Sequence, residues 1–265
     1  MRPFACRKRR TSSRCSRKRL SEPPAPFGAI IVAAGSGTRF GSEGPPKQYR
    51  LLAGVPLLDW AVRAFLANPR ISRTVVVLPP GHLSSPPQWL ARLPVELVPG
   101  GVERSDSVRH GLSTLNAGGP QRVLVHDGAR PFATASLINR VMAACGEGGV
   151  VPALRVVETL KEVNDEGTVI ATVDRGRYWR AQTPQAFPLA LLSDLHERAR
   201  SDRFCPTDDA GLLEHYGYPV RIVPGDPDNV KVTSPFDLEL AEMLAQRLNP
   251  VARSGSAHDV TAQEF

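Results

Sequence analysis

Ala29-Ile30-Ile31-Val32 runs directly into Ala33-Ala34-Gly35-Ser36-Gly37-Thr38-Arg39-Phe40-Gly41, and Pro46-Lys47-Gln48-Tyr49 follows shortly after. The apolar run reads as a strand buried on both faces, the kind found in parallel sheets. A strand that empties into small residues and glycines lets backbone N–H groups approach a ligand closely, and Arg39 and Lys47 add two cations beside them. Together they form a polyphosphate cradle. Two commoner phosphate loops do not fit: GxxxxGK[ST] fails because Gln48 follows Lys47, and GxGxxG fails because Phe40 occupies its third glycine position. A dinucleotide site also needs an acidic ribose ligand about 20 residues further on, where Val55 opens a helical pattern instead.

Beyond residue 28 the chain alternates short Val/Ile/Leu-rich segments at 28–33, 73–78, 95–98, 122–126 and 149–153 with helical patterns at Leu57–Leu66, Pro87–Leu93, Ser105–Leu115 and Ser136–Ala144. This order predicts an α/β fold with a doubly wound, mostly parallel sheet covered on both faces. Ligands then bind beyond the carboxyl ends of the strands, where the glycine loop lies. The pattern breaks at about 155–179, where Val156–Val163 and Thr168–Val173 flank Asn164-Asp165-Glu166-Gly167 and predict a projecting β-hairpin arm. Such a hairpin needs a surface to meet, and a second copy of the chain is the simplest one. Helices at Leu189–Arg200, Asp208–His215 and Asp237–Leu248 and a strand at Tyr218–Val223 complete the expected domain, 27–248.

The chain has 265 residues and a net charge of +7. Nine basic residues within positions 1–28 (Arg2, Arg7, Lys8, Arg9, Arg10, Arg14, Arg17, Lys18 and Arg19) face only Glu22, a balance of +8 that leaves −1 for the remainder. The excess charge therefore belongs to an arm, 1–26, expected to be disordered, and the near-neutral body argues against nucleic acid as a partner of the fold. Three readings of the arm compete: an organelle transit peptide, a tether to nucleic acid or an anionic surface, or an inert solvated extension, the last being preferred. A cytoplasmic protein is expected, with a plastid as the alternative if the arm is a transit peptide. No apolar run approaches the roughly 18 residues of a membrane span. Cys6, Cys15, Cys145 and Cys205 show no CxxC spacing and require neither disulfide nor zinc. Residues 249–265 read as a flexible tail, too short to carry a fused second enzyme.

Four further constellations carry chemistry. His126-Asp127-Gly128-Ala129-Arg130-Pro131 ends a strand, which puts Asp127 at the sheet's carboxyl edge, where a carboxylate can hold a Mg²⁺ that bridges phosphates. The competing reading is a plain Asp-Gly turn, and His126 reads as a neutral imidazole that orients the loop. Gly100-Gly101-Val102-Glu103-Arg104-Ser105-Asp106-Ser107 opens a helix, with Ser105 as its candidate cap. Thr183-Pro184-Gln185 and Thr207-Asp208-Asp209 each read as preceding a helix, and Lys231 stands in an extended segment as a lone cation.

In order along residues 27 to 248, AAGSGTRFG…PKQY, GGVERSDSV, HDGARP, ETLKEV, TVDRGRYWRAQTPQAF, TDDAGLLE and DNVKVTSPFDLELAE resemble the CTP-using 2-C-methyl-D-erythritol 4-phosphate cytidylyltransferases of non-mevalonate isoprenoid synthesis. The resemblance implies that Arg39 and Lys47 hold the triphosphate within a loop formed by Ala33, Ala34, Gly35 and Gly37. It places Gly101 and Ser107 at the cytosine, and Asp127 and Lys231 at the reacting phosphates. Thr159, Arg175 and Thr183 match positions that bind the acceptor phosphate, and Thr207 is grouped with them. It also implies a homodimer in which the hairpin crosses to the partner subunit. Val102 departs from the acidic residue frequent in the family, and the spacing from Arg39 to Lys47 is slightly long.

The residue types suit this chemistry on their own terms. A phosphate monoester is already an anionic nucleophile, so cations rather than a general base are what an attack on the α-phosphate requires. Two alternatives remain at this point. One is a cytidylyltransferase for another polyol phosphate, such as ribitol 5-phosphate. The other is nucleic-acid binding through the basic arm.

Overall fold

The computed structural model describes residues 26–35 and 45–248. The basic arm, the tail after Leu248, and Gly37 and Arg39 of the glycine loop lie outside the described residues. In chain order the elements are β1 (Phe27–Val32), β2 (Leu51–Leu52), β3 (Val55–Pro56), α1 (Leu57–Leu66), β4 (Ile71–Leu78), α2 (Gln88–Ala91), β5 (Glu96–Pro99), α3 (Arg104–Asn116), β6 (Arg122–Asp127), α4 (Ala135–Ala144) and β7 (Gly149–Arg155). Then come β8 (Leu160–Val163), β9 (Val169–Val173), β10 (Trp179–Ala181), β11 (Gln185–Pro188), α5 (Leu189–Asp202), α6 (Asp209–His215), β12 (Val220–Pro224) and α7 (Pro235–Leu248).

The main sheet runs β5, β4, β1, β6, β11, β7, with β10 and β12 also pairing with β7. β5, β4, β1 and β6 are mutually parallel, as are β7 and β12. The predicted mostly parallel α/β fold is the one observed, with β10 and β11 as antiparallel exceptions. Sequence reading missed β11: Thr183-Pro184-Gln185 leads into a strand rather than a helix, and that strand fills the gap between β6 and β7. The alternating faces explain why β1 reads as uniformly apolar. Ala29 and Ile31 pack with α1 and α4 residues such as Phe65 and Ile138, whereas Ile30 packs with Val108 and Leu112 of α3 and Leu192 of α5. Both faces are dry, so truncating Ile30 or Ile31 to Ala costs roughly 2–5 kcal/mol.

A third, smaller cluster joins Leu52, Leu57, Phe132 and Val232 to Ala241, Leu244 and Ala245 of α7. It anchors the segment bearing Lys231, because Val232 is fully buried and its N–H donates to the Ala129 carbonyl at 2.8 Å. β8 and β9 form a separate two-stranded antiparallel sheet. The first strand starts at Leu160, four residues later than the predicted Val156, and Asn164 Oδ1 accepts from the N–H groups of Glu166 and Thr168 to close the turn. Most of this hairpin is exposed on both faces, including Val163, Val169 and Ile170. Among the described residues no helix is long and apolar enough to cross a membrane.

Candidate active site

The strand register brings three loops to one edge. Val32 pairs with Asp127 across β1 and β6, and Leu78 pairs with Pro99 across β4 and β5. β1 has β4 on one side and β6 on the other, so the loops that follow it and its neighbours meet at the point where the chain reverses direction across the sheet. Close approach depends on missing side chains. A Cβ on Gly100 would stand 2.2 Å from the Ala34 Cβ, and one on Gly101 would stand 2.1 Å from the Asp106 Cβ. The Ser107 hydroxyl locks this turn by accepting from the Gly101 N–H at 3.1 Å and donating to the Glu103 carbonyl at 3.3 Å. Ser105 is not the helix cap: Glu103 caps α3 in a reciprocal box with Asp106, whose carboxyl group is held below its usual range first by the Glu103 N–H.

These loops enclose a cavity of about 300 Å³ lined by Ala33, Ala34, Gly35, Lys47, Gly101, Ser107, Asp127 and Lys231. Eight of the residues singled out in the sequence are thus gathered into one concavity. Arg104 and the first turn of α3 form another wall, and Val102 stands at the rim with 95 % of its surface exposed.

Asp127 sits at the centre of a chain of charges. Its Oδ2 accepts from Lys231 Nζ at 2.8 Å and its Oδ1 from Arg104 Nε at 3.3 Å. Arg104 Nη1 also donates to Asp209 Oδ2 at 2.7 Å, and the other Asp209 oxygen pairs with His196 Nε2 at 3.0 Å. Burial alone would raise the Asp127 and Asp209 carboxyl pKa values, but the neighbouring cations outweigh it and hold both below the usual carboxylate range. Burial opposes the Arg104 charge, and Asp209 and Asp127 restore it and raise its pKa. Sequence reading missed Arg104, Asp209 and His196. One signal was available: a cation in the first turn of a helix opposes the helix dipole and calls for a carboxylate partner nearby.

Behind Asp127 lies a second, neutral lock. The Arg130 carbonyl can only accept, so His126 Nε2, 2.9 Å away, carries a hydrogen. Burial pushes the His126 pKa down to about 4, leaving a neutral ring whose Nδ1 accepts from the Thr183 hydroxyl at 3.0 Å. That hydroxyl in turn accepts from the Asp127 N–H at 3.0 Å. Arg130 Nη1 donates to the Asn229 carbonyl and Asn229 Nδ2 to the Thr183 carbonyl, both at 2.8 Å, so the loops carrying Asp127, Thr183 and Lys231 are tied together.

The remaining predicted residues lie elsewhere. Thr183 is buried within the lock just described. Thr159 and Arg175 are exposed beside the hairpin and do not line the cavity, and Arg175 Nη1 donates to the Val157 carbonyl at 2.5 Å. Thr207 is exposed ahead of α6, which is capped by Asp208 through the Gly211 N–H at 2.8 Å. As a metal site the cavity offers the carboxylate of Asp127, with that of Glu103, which caps α3, at the wall. Among the described residues no group of three or more His, Cys, Asp or Glu could cage an ion. This donor set suits a hard cation that keeps waters and takes most of its ligands from substrate phosphates.

The family described as IspD: 2-C-methyl-D-erythritol 4-phosphate cytidylyltransferase matches residues 27–247. A relative of that name from Geobacillus kaustophilus is 41 % identical over 228 residues, covering 84 % of this chain and 98 % of the relative. A bifunctional enzyme IspD/IspF from Bartonella bacilliformis is 38 % identical over 244 residues, and the chain spans 62 % of that longer protein. The crystal structure of 2-C-methyl-D-erythritol 4-phosphate cytidylyltransferase from Thermus thermophilus superposes with a TM-score of 0.69 at 36 % identity, over 82 % of this chain and 98 % of that one. On this match of sequence, fold and length, the chain belongs to the 2-C-methyl-D-erythritol 4-phosphate cytidylyltransferase family.

Proposed function

We propose that the protein transfers a cytidylyl group from CTP to 2-C-methyl-D-erythritol 4-phosphate, giving 4-diphosphocytidyl-2-C-methyl-D-erythritol and pyrophosphate. The observation that carries this reading is the convergence of Ala33, Ala34, Gly35, Lys47, Asp127 and Lys231 on one cavity at the sheet's switch point. A phosphate oxygen of the acceptor attacks the α-phosphorus of CTP, the bond to the bridging oxygen breaks, and pyrophosphate leaves with the electron pair. No proton has to be removed from a phosphate dianion, so the groups required are cations that stabilise charge on the equatorial and leaving oxygens. Lys47 and Lys231 supply that charge, and Arg39 of the same loop joins them. Gly101 and Ser107 shape the slot for the cytosine. The exposed Val102 offers the base no polar side chain, which leaves backbone groups to read its edge.

Asp127 and the triphosphate would hold a Mg²⁺, whose contribution when bound is to neutralise phosphate charge and align the leaving group. We further infer a homodimer in which Thr159 and Arg175 of one hairpin reach the acceptor phosphate in the partner's cavity. Both side chains face solvent in the single chain, and a guanidinium suits bidentate capture of phosphate. Thr183 contributes by holding the Asp127 backbone, and Thr207 borders the acceptor side.

Pyrophosphate release tests the reading. The assay pairs CTP, ATP, GTP or UTP with 2-C-methyl-D-erythritol 4-phosphate or ribitol 5-phosphate, and CTP with the methylerythritol phosphate should dominate. Faster release with ribitol 5-phosphate would reassign the acceptor, and preference for a purine nucleotide would reassign the donor.

A further inference from the structure

Asp127 carries two cations, and the two are held very differently. The Lys231 side chain is 42 % exposed, and Asp127 is the carboxylate it pairs with. Arg104, in contrast, is clamped from behind by Asp209, whose side chain is 1 % exposed and which is itself fixed by the 2 %-exposed His196 side chain. Asp209 and His196 do not line the cavity. They come from α6 and α5, so the clamp ties the reaction edge to the helices under the sheet.

The geometry points to Arg104 as a positioning residue, held by the Asp209–His196 pair, that fixes one oxygen of Asp127 so that Lys231 alone can exchange its carboxylate contact for a phosphate. Two cations on one carboxylate would otherwise compete for an incoming polyphosphate. Because Arg104 keeps a buried counter-charge in Asp209, moving it into the cavity would strand that carboxylate without its cation, which is far costlier than moving Lys231 through solvent. Lys231 can therefore swing toward phosphate oxygens while Asp127 stays in register. The inference rests on the assignment of Asp127 and Lys231 to the reaction centre made above.

The test separates positioning from stability by replacing the buried pair as a unit. Arg104→Met together with Asp209→Asn removes one charge of each sign, and a buried ion pair can be exchanged for neutral groups with little loss of stability. The double variant should melt near the wild-type temperature and bind CTP within about threefold of wild type by calorimetry, yet lose about tenfold to a hundredfold in kcat, the scale expected when a reacting group is misplaced by about an ångström. Arg104→Lys, which keeps the charge but not the fork, should recover part of that loss. A folded double variant with wild-type kcat overturns the proposal, as does a kcat loss matched by an equal loss of CTP affinity. If the double variant proves unfolded, His196→Gln, which loosens the clamp while leaving the Arg104–Asp209 pair in place, carries the same test: reduced kcat at unchanged CTP affinity supports the proposal and unchanged kcat refutes it. Lys231→Ala runs in parallel. Its retaining full turnover would sink the functional assignment itself, whereas an inactive Lys231→Ala beside a fully active double variant sinks only the role of Arg104.

Discussion

The cavity at the carboxyl edge of the sheet and the β8–β9 hairpin are built on opposite plans. In the cavity, Asp127 is tied through its backbone to Thr183 and through its carboxylate to Arg104 and Lys231, and each tie has a further partner behind it. In the hairpin, the strands bond to each other, Asn164 closes the turn, and almost every side chain between Val157 and Arg177 faces solvent. Asp127 is thus held in place before any ligand arrives, so its position costs no reorganisation in the reaction. The hairpin has two faces and no core of its own to bury either. A residue such as Arg175, exposed and bonded within the chain to the Val157 carbonyl, gains a buried environment from a ligand or another chain.

The largest effect that would break this contrast falls on the cavity. Lys231→Ala should lose about 10²–10³ in kcat, as expected when a preorganised charge is removed from the transition state, while the melting temperature holds because the side chain is partly exposed. Steady-state kinetics beside a thermal melt checks both halves, and intact turnover would show that the cavity is not the reaction centre.

The buried lock behind Asp127 yields a pH prediction. The folded-state pKa of His126 is depressed to about 4 against an ordinary value near 6.5, so between those values the unfolded chain binds a proton that the folded chain does not. Stability is therefore complete above about pH 6.5 and falls on acidification toward pH 4, by about 3 kcal/mol in total. Urea unfolding at pH 7 and pH 4.5 should show that loss. His126→Gln, which cannot take up the proton, should flatten the slope.

Packing of the loops gives a smaller, sharper test. Gly100→Ala forces its methyl group against Ala34 and should cost about 1–3 kcal/mol, raising KM for CTP more than KM for the acceptor. Equal changes in both would mean that the turn does not shape the nucleotide side. Smallest is the effect on the hairpin: Arg175→Lys keeps the charge but loses the fork, and should raise the acceptor KM by about tenfold, on the order of one good hydrogen bond, with CTP unaffected.

The contrast also explains what could be read from the sequence. β1 and the loop after it were legible because an apolar run ending in glycines has few other uses, and the order of strands and helices carried the parallel sheet. β11 was not legible. Gln185-Ala186-Phe187-Pro188 is short, contains a proline and lacks alternation, and it is a strand because β6 and β7 leave it a slot with backbone partners on both sides. Within the site, Asp127 ends a strand and Lys47 and Lys231 lie outside the α-helices and strands, positions where a charge is conspicuous. Arg104 directly precedes one helical pattern and Asp209 lies inside another, where a charge passes for an ordinary solvent-facing residue until the fold sets the two 2.7 Å apart. His196 is hidden in the same way, on a buried helix face whose polar partner comes from the next helix.

We propose a cavity that takes the nucleotide within one chain and is completed for the acceptor by the hairpin of another. Mixing tests it most directly: a Lys231→Ala subunit, inactive in its own cavity, is exchanged with an Arg175→Ala subunit whose cavity is intact, and verified heterodimers are assayed for pyrophosphate release. Each heterodimer should hold one competent site, so statistical exchange restores on the order of a quarter of the wild-type sites. Heterodimers no more active than the two parents mixed without exchange, or a wild-type enzyme that turns over as a monomer, would contradict it.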